Sequence, residues 1–213
     1  MSEFNFKVNG TLRFKTAGKY CDRDIVVTSE SSGDHSDEDA IVNRGVLRYV
    51  NPRVTAVGAQ TFYGCTKLRF VLFEKATSIG SNSFRGCTSL KTAIFSKAET
   101  INANAFNGDS DLVTLILGGN GLCKLGASTS IASTPIASGT GNVYVRPELV
   151  EGTRSASYWS SVASQIMPLV STVDELADID GATYNRACVW SGGEEYTEYY
   201  FDSTNQQWVV LER

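Results

Sequence analysis

The chain has a single histidine, His35, set among Asp34, Asp37, Glu38 and Asp39, and an imidazole among carboxylates is a cluster that can hold a divalent cation. The spacing fits no established loop, because a calcium hand alternates Asp or Asn and closes on a distal Glu. Residues 29–39 are instead polar and acidic without periodicity, so a solvated linker is expected there. With its one histidine in that linker, the chain offers no base for a serine or cysteine triad. It also lacks a G-x-S-x-G elbow, a phosphate loop and an H-E-x-x-H pair. Glycoside hydrolysis would need two of the 23 acidic residues to converge, which linear spacing does not reveal. A non-enzymatic chain without cofactor or structural metal is the expectation.

The five cysteines, Cys21, Cys65, Cys87, Cys123 and Cys188, are odd in number and show no C-x-x-C spacing, which argues against a zinc site or a disulfide framework. Cys65 and Cys87 occupy equivalent places in a repeat and would be near enough to oxidise. Buried thiols acting as small apolar groups with a weak donor are the commoner use of such a position. Reduced cysteines also suit folding in a cytoplasm.

What must position any functional group is a coil written three times, with a partial copy in front. Val57-Gly58-Ala59-Gln60-Thr61-Phe62, Ile79-Gly80-Ser81-Asn82-Ser83-Phe84 and Ile101-Asn102-Ala103-Asn104-Ala105-Phe106 are 22 residues apart. The period continues through Gly64, Gly86 and Gly108, through Cys65, Cys87 and Asp109, and through Leu68, Leu90 and Leu112. Val46 lies one period before Leu68. Such a period predicts a leucine-rich solenoid whose coils bury their apolar sides against one another. The period-2 ends, such as Val71-x-Phe73, predict one short strand per coil in a parallel ladder about 4.8 Å from strand to strand. Phe62, Phe84 and Phe106 are expected as inward anchors of the returning turn.

Ile79-Gly80-Ser81-Asn82-Ser83-Phe84-Arg85-Gly86-Cys87-Thr88-Ser89-Leu90 resembles the BspA-type leucine-rich repeat. Ser83 and Thr61 stand where that family prefers Ala, and Asp109 where it prefers Cys. The resemblance implies a binding or structural module of bacteria and their phages, with no reaction attached to the fold.

The flanks read as follows. Phe4, Phe6 and Val8 alternate, then Leu12 and Phe14 across Asn9-Gly10, a hairpin signal, and a third strand is expected over 20–28. Such a unit is marginal alone and should lean on the solenoid or another subunit. Gly18 to Val27 is similar to short β segments near the start of phage tail and baseplate-associated proteins. After Leu117, a Gly/Ser/Thr-rich stretch to Gly141 with Leu122, Leu125, Ile131 and Ile136 reads as a degenerate last coil, with its strand at Val143-Tyr144-Val145. Trp159, Val162, Ala163 and Ile166 fall at helical spacing, and Pro168 should end that helix. This segment is similar to the terminal part of phage-associated BspA-type proteins, except that Arg146 stands where they run from Val directly to Pro. Thr172-Val173-Asp174-Glu175 has capping-box spacing for a short helix. Strand candidates over 183–190, 195–201 and 208–211 make a small antiparallel meander, and Tyr199 to Leu211 resembles C-terminal β modules of phage fibre proteins.

The expected fold is therefore mostly β with short helices: an N-terminal β segment at 1–28, a linker at 29–39, a leucine-rich-repeat solenoid with a helical cap at 40–170, and a β meander at 171–213. If Val71 and Phe73 point inward, then Val50, Leu72, Ile94 and Ile116 form an aligned apolar stripe outside. Such a stripe should be covered, by the chain's own terminal segments or by a partner chain. With Arg48, Phe70, Thr92 and Thr114 on the same face, it is the candidate binding surface.

A net charge of −4 without basic clusters argues against nucleic acid. No apolar run is long enough to cross a membrane. The start, Met1 to Lys7, carries neither a basic nor an apolar signal segment. A virion component of tail, fibre or baseplate, assembled in the bacterial cytoplasm, is therefore expected ahead of a BspA-type bacterial surface adhesin. Its partners would be other virion proteins, a host surface protein or glycan, or further copies of itself.

Overall fold

The computed structural model describes residues 23–26 and 46–212. The hairpin expected over 4–14, Cys21, and the linker at 29–39 with His35 lie outside the described residues.

Strands β2 (Val46–Asn51), β4 (Phe70–Phe73), β6 (Thr92–Phe95) and β8 (Thr114–Leu117) stack in parallel. Their register is 22 residues at every step: Arg48 faces Phe70, Phe70 faces Thr92, and Thr92 faces Thr114. Strand β1 (Arg23–Val26), within the expected third N-terminal strand, joins this ladder beside β2, also in parallel. Side chains alternate across each strand. Tyr49, Val71, Ala93 and Leu115 therefore enter the solenoid core, as do Phe73, Phe95 and Leu117, while Val50, Leu72, Ile94 and Ile116 point to the opposite face.

On the far side of each coil lies a second ladder of two-residue strands: β3 (Ala56–Val57), β5 (Ser78–Ile79), β7 (Thr100–Ile101) and β9 (Lys124–Leu125). The turn that follows is bonded coil to coil as well. Phe62 N–H donates to Ser83 O at 2.6 Å, and Phe84 N–H to Ala105 O at 2.8 Å. Gln60, Asn82 and Asn104 share a left-handed φ of 60°, 56° and 57°, a conformation that Asn adopts more readily than most residues. The anchor phenylalanines stack face to face, Phe62 on Phe84 at 4.9 Å and Phe84 on Phe106 at 5.2 Å. A second column, Phe73 on Phe95 at 5.4 Å, meets the first edge-on.

The degenerate coil is longer, since Asn142 of β10 (Asn142–Val145), not a residue 22 positions on, faces Thr114. Ile131 and Ile136 are buried in it, whereas Leu122 is left exposed. The helix α1 (Val150–Ser155) follows. The helix expected through Trp159, Val162, Ala163 and Ile166, ended by Pro168, is corrected by the structure: Trp159–Gln165 is a kinked 3-10 segment, and Ile166 opens strand β11 (Ile166–Val170). Pro168 does not end a helix. It sits inside β11 opposite Val145, and the ladder to the next strand takes up only from Leu169, beyond the proline. Trp159 still fills the core, with its indole N–H donating to Cys123 O at 2.7 Å.

Thr172 and Glu175 work much as a capping box. Thr172 Oγ1 accepts the Glu175 N–H, and the Glu175 carboxylate takes the N–H of Ser171, one residue before the one the motif would use. A 3-10 turn over Asp174–Asp178 results. Strand β12 (Arg186–Val189) then pairs in parallel with β11, and β13 (Thr197–Asp202) and β14 (Gln207–Val210) complete an antiparallel meander. The meander thus prolongs the solenoid's own sheet, which runs unbroken from β1 to β14.

Candidate functional site

The outer face of the main sheet carries two rows of side chains. One row is Val50, Leu72, Ile94 and Ile116, extended by Tyr144 and Met167 on the later rungs. Leu72, Ile94 and Ile116 have no solvent exposure at all: they share one buried cluster with Cys188 and Trp190, and Tyr196 packs against it. The cover is therefore the chain's own C-terminal segment.

The second row is Arg48, Phe70, Thr92 and Thr114, and it is met by alternate residues of one stretch that leads into β13. Glu194 pairs with Arg48, Tyr196 Oη hydrogen-bonds Thr92 Oγ1 at 2.8 Å, and Thr114 Oγ1 donates to Glu198 Oε1 at 2.9 Å. Arg48, Thr92 and Thr114 are spread over three ladder steps, about 14 Å, so the stretch crosses the rungs instead of running along them. Arg48 also lies over the Phe70 ring at 4.3 Å. Burial raises the Tyr196 hydroxyl above its ordinary pKa, against the opposing hydrogen bond from Thr92. Of the eight residues of the candidate binding surface, only Arg48 and Phe70 keep partial exposure. An open binding face formed by all eight is not what the structure presents.

Where the strands end, the cover leaves a crevice of about 440 Å³. Glu74, Ser96, Gly118, Arg146 and Ser171 line it, each the residue immediately after a strand of successive rungs, and Trp190 to Gly193 form its other wall. Gly118 is required here. A Cβ on it would lie 2.4 Å from the Trp190 ring. Trp190 is fixed at both ends, its backbone N–H on Val170 O and its indole N–H on Gly193 O at 2.9 Å. Arg146 Nε donates to Gly118 O at 3.3 Å.

Residues 49–133 match the BspA type leucine rich repeat region, in six copies. No curated protein and no solved structure matches the chain. The BspA-type repeat accounts for the stacked coils, and the C-terminal cover lies outside the matched residues.

At the family's cysteine position the repeats depart from one another. Cys87 donates its thiol to Phe62 O at 3.0 Å. One rung on, Asp109 accepts the Cys87 N–H through Oδ1 at 2.8 Å, and its buried Oδ2 has no hydrogen-bond partner. Burial pushes the Asp109 carboxyl up to about 9, against the opposing backbone donors of Cys87 and Gly86. Burial likewise raises the Cys87 thiol well above its ordinary value. Cys65, Cys87, Cys123 and Cys188 are all free thiols in buried places. Among the described residues, no three His, Cys, Asp or Glu side chains are grouped to hold a metal ion, and no helix is long and apolar enough to cross a membrane.

Sequence reasoning placed the outer rows but did not find the residues that cover them. Glu194, Tyr196 and Glu198 carry a period-2 signal, yet nothing in a linear pattern says that they face Arg48, Thr92 and Thr114, 146, 104 and 84 positions away.

Proposed function

We propose that the chain is a non-enzymatic attachment module in which the BspA-type solenoid is a rigid platform for a protein or surface partner. The observation that carries this reading is the repeat match, since leucine-rich repeats are in general protein-binding units. The outer sheet face is taken up by the chain's own segment, so recognition falls to the surfaces left open: the rim of the strand ends and the C-terminal hairpin β13–β14. Two carriers are supported by different observations. The resemblance of the flanking segments to phage tail and fibre proteins favours a virion component, and the repeat match favours a bacterial surface adhesin.

Antibodies against the chain, applied to purified phage particles and to intact cells of the source, separate the two. Label on particles supports the virion, and label on the cell envelope supports the adhesin. Label confined to the soluble fraction of lysed cells would refute attachment in both forms.

A further inference from the structure

We propose that the crevice at the strand ends binds a carboxylate-bearing saccharide, with Arg146 holding the acid group. This goes beyond the attachment reading, and its failure would leave a protein-binding role untouched.

The crevice is built by register. Glu74, Ser96, Gly118 and Arg146 occupy the same place after β4, β6, β8 and β10, and Leu169 holds that place on β11, so these residues sit about 4.8 Å apart along one line, with Ser171 two residues beyond it. The Arg146 Nε bond to Gly118 O fixes the plane of the guanidinium and leaves both terminal nitrogens for a ligand. A fork of donors in fixed orientation suits a carboxylate.

The remaining lining decides what carries that carboxylate. Ser96, Ser171 and Ser191 supply hydroxyls, Glu74 an acceptor, and Gly192 and Gly193 exposed backbone. The apolar members, Leu169 and Trp190, are 5% and 9% exposed, too closed to receive an apolar side chain. An extended peptide would find no side-chain pockets here, whereas a polyhydroxylated ring meets donors and acceptors along its whole edge. The volume of about 440 Å³ lies within the range of small-ligand sites.

The test is titration of the full chain, followed by NMR, with four probes: sodium glucuronate, its methyl ester, glucose, and a capped peptide with one Glu between Ser and Gly. Glucuronate should shift the Trp190 indole N–H and the amides of Gly192 and Gly193, and bind about tenfold or more tightly than the ester or glucose. Arg146→Gln should lose about tenfold or more of that affinity at an unchanged melting temperature. If that variant melts early, Arg146→Lys serves instead; it keeps the charge but not the fork, and should weaken glucuronate several-fold while leaving glucose unaffected. Equal binding of glucuronate and glucose, tighter binding of the peptide, or no shift with any probe would each overturn the proposal.

Discussion

Replacing Asp109 with Cys should stabilise the protein, by an amount that grows with pH. In the unfolded chain this carboxyl has its ordinary pKa of 3.8, and burial in the fold pushes it to about 9. Below pH 4 both states are protonated and the group is neutral toward stability. Above that, the unfolded state releases the proton while the folded state keeps it, so stability falls by about 1.4 kcal/mol per pH unit until the folded group ionises. At pH 7 the accumulated penalty is roughly 4 kcal/mol as an upper bound. A cysteine removes it. It would also repeat the bond made one rung earlier: Cys87 reaches Phe62 O, and a thiol at 109 is placed to reach Phe84 O. Loss of the Asp109 bond to the Cys87 N–H offsets about 1 kcal/mol of the gain. The expected net effect is about 2–3 kcal/mol at pH 7, a melting temperature higher by roughly 5–10 °C. Calorimetry under reducing conditions at pH 4, 5.5, 7 and 8.5 reads this directly. A shift of equal size at pH 4 and pH 7, or a destabilised variant at pH 7, would refute the account of Asp109 as a buried neutral acid.

Further outcomes follow from other contacts. Phe84→Ala removes the middle ring of the stack and should lower unfolding free energy by roughly 3–5 kcal/mol in urea, because the rungs on either side are held apart by their own hydrogen bonds. The pair Leu72→Glu with Ile94→Lys puts charge beneath the C-terminal cover; the melting temperature should fall sharply while sedimentation shows unchanged mass, whereas a loss of oligomer would mean that a second chain shares the cover. Glu198→Ala strips Thr114 of its buried acceptor and should destabilise by about 1–3 kcal/mol. The partly exposed Arg48 pair is weaker, so Glu194→Ala should change stability by under ~1 kcal/mol, and a larger change in thermal melts would contradict that ranking.

The solenoid was legible because its residues repeat at a strict interval, and an interval is a linear property. Leu68, Leu90 and Leu112 announce the register that the backbone then adopts. The coil after Leu117 was legible only in outline, since Gly, Ser and Thr mark no face and the extra residues change its length. Around Pro168 the spacing misled. Trp159, Val162 and Ile166 are all buried, as a helical stripe would be, but the first two sit on a kinked 3-10 segment and the third on a strand. The outer stripe could be predicted to need a cover, because four stacked apolar side chains do not suit water. Which segment provides it depends on how the chain curls after β12, and that is set by tertiary contacts such as Trp190 on Gly118. The crevice was unreadable for the same reason: its lining comes from five separate rungs and one loop.

The stretch from Glu194 to Glu198 also has a mechanical consequence. A stack of coils pulled along its long axis yields one rung at a time, each ladder of hydrogen bonds opening like a zip. A segment laid across the rungs of β2, β6 and β8 does not yield in that way, since lengthening the stack puts its polar contacts with Arg48, Thr92 and Thr114 under tension together. It acts as a tie rod. Axial stretching of the intact chain should therefore begin with one high-force event, in which the tie lets go, before the smaller regular steps of single coils. For the attachment module proposed above, that places the greatest resistance along the line in which the stack is drawn out.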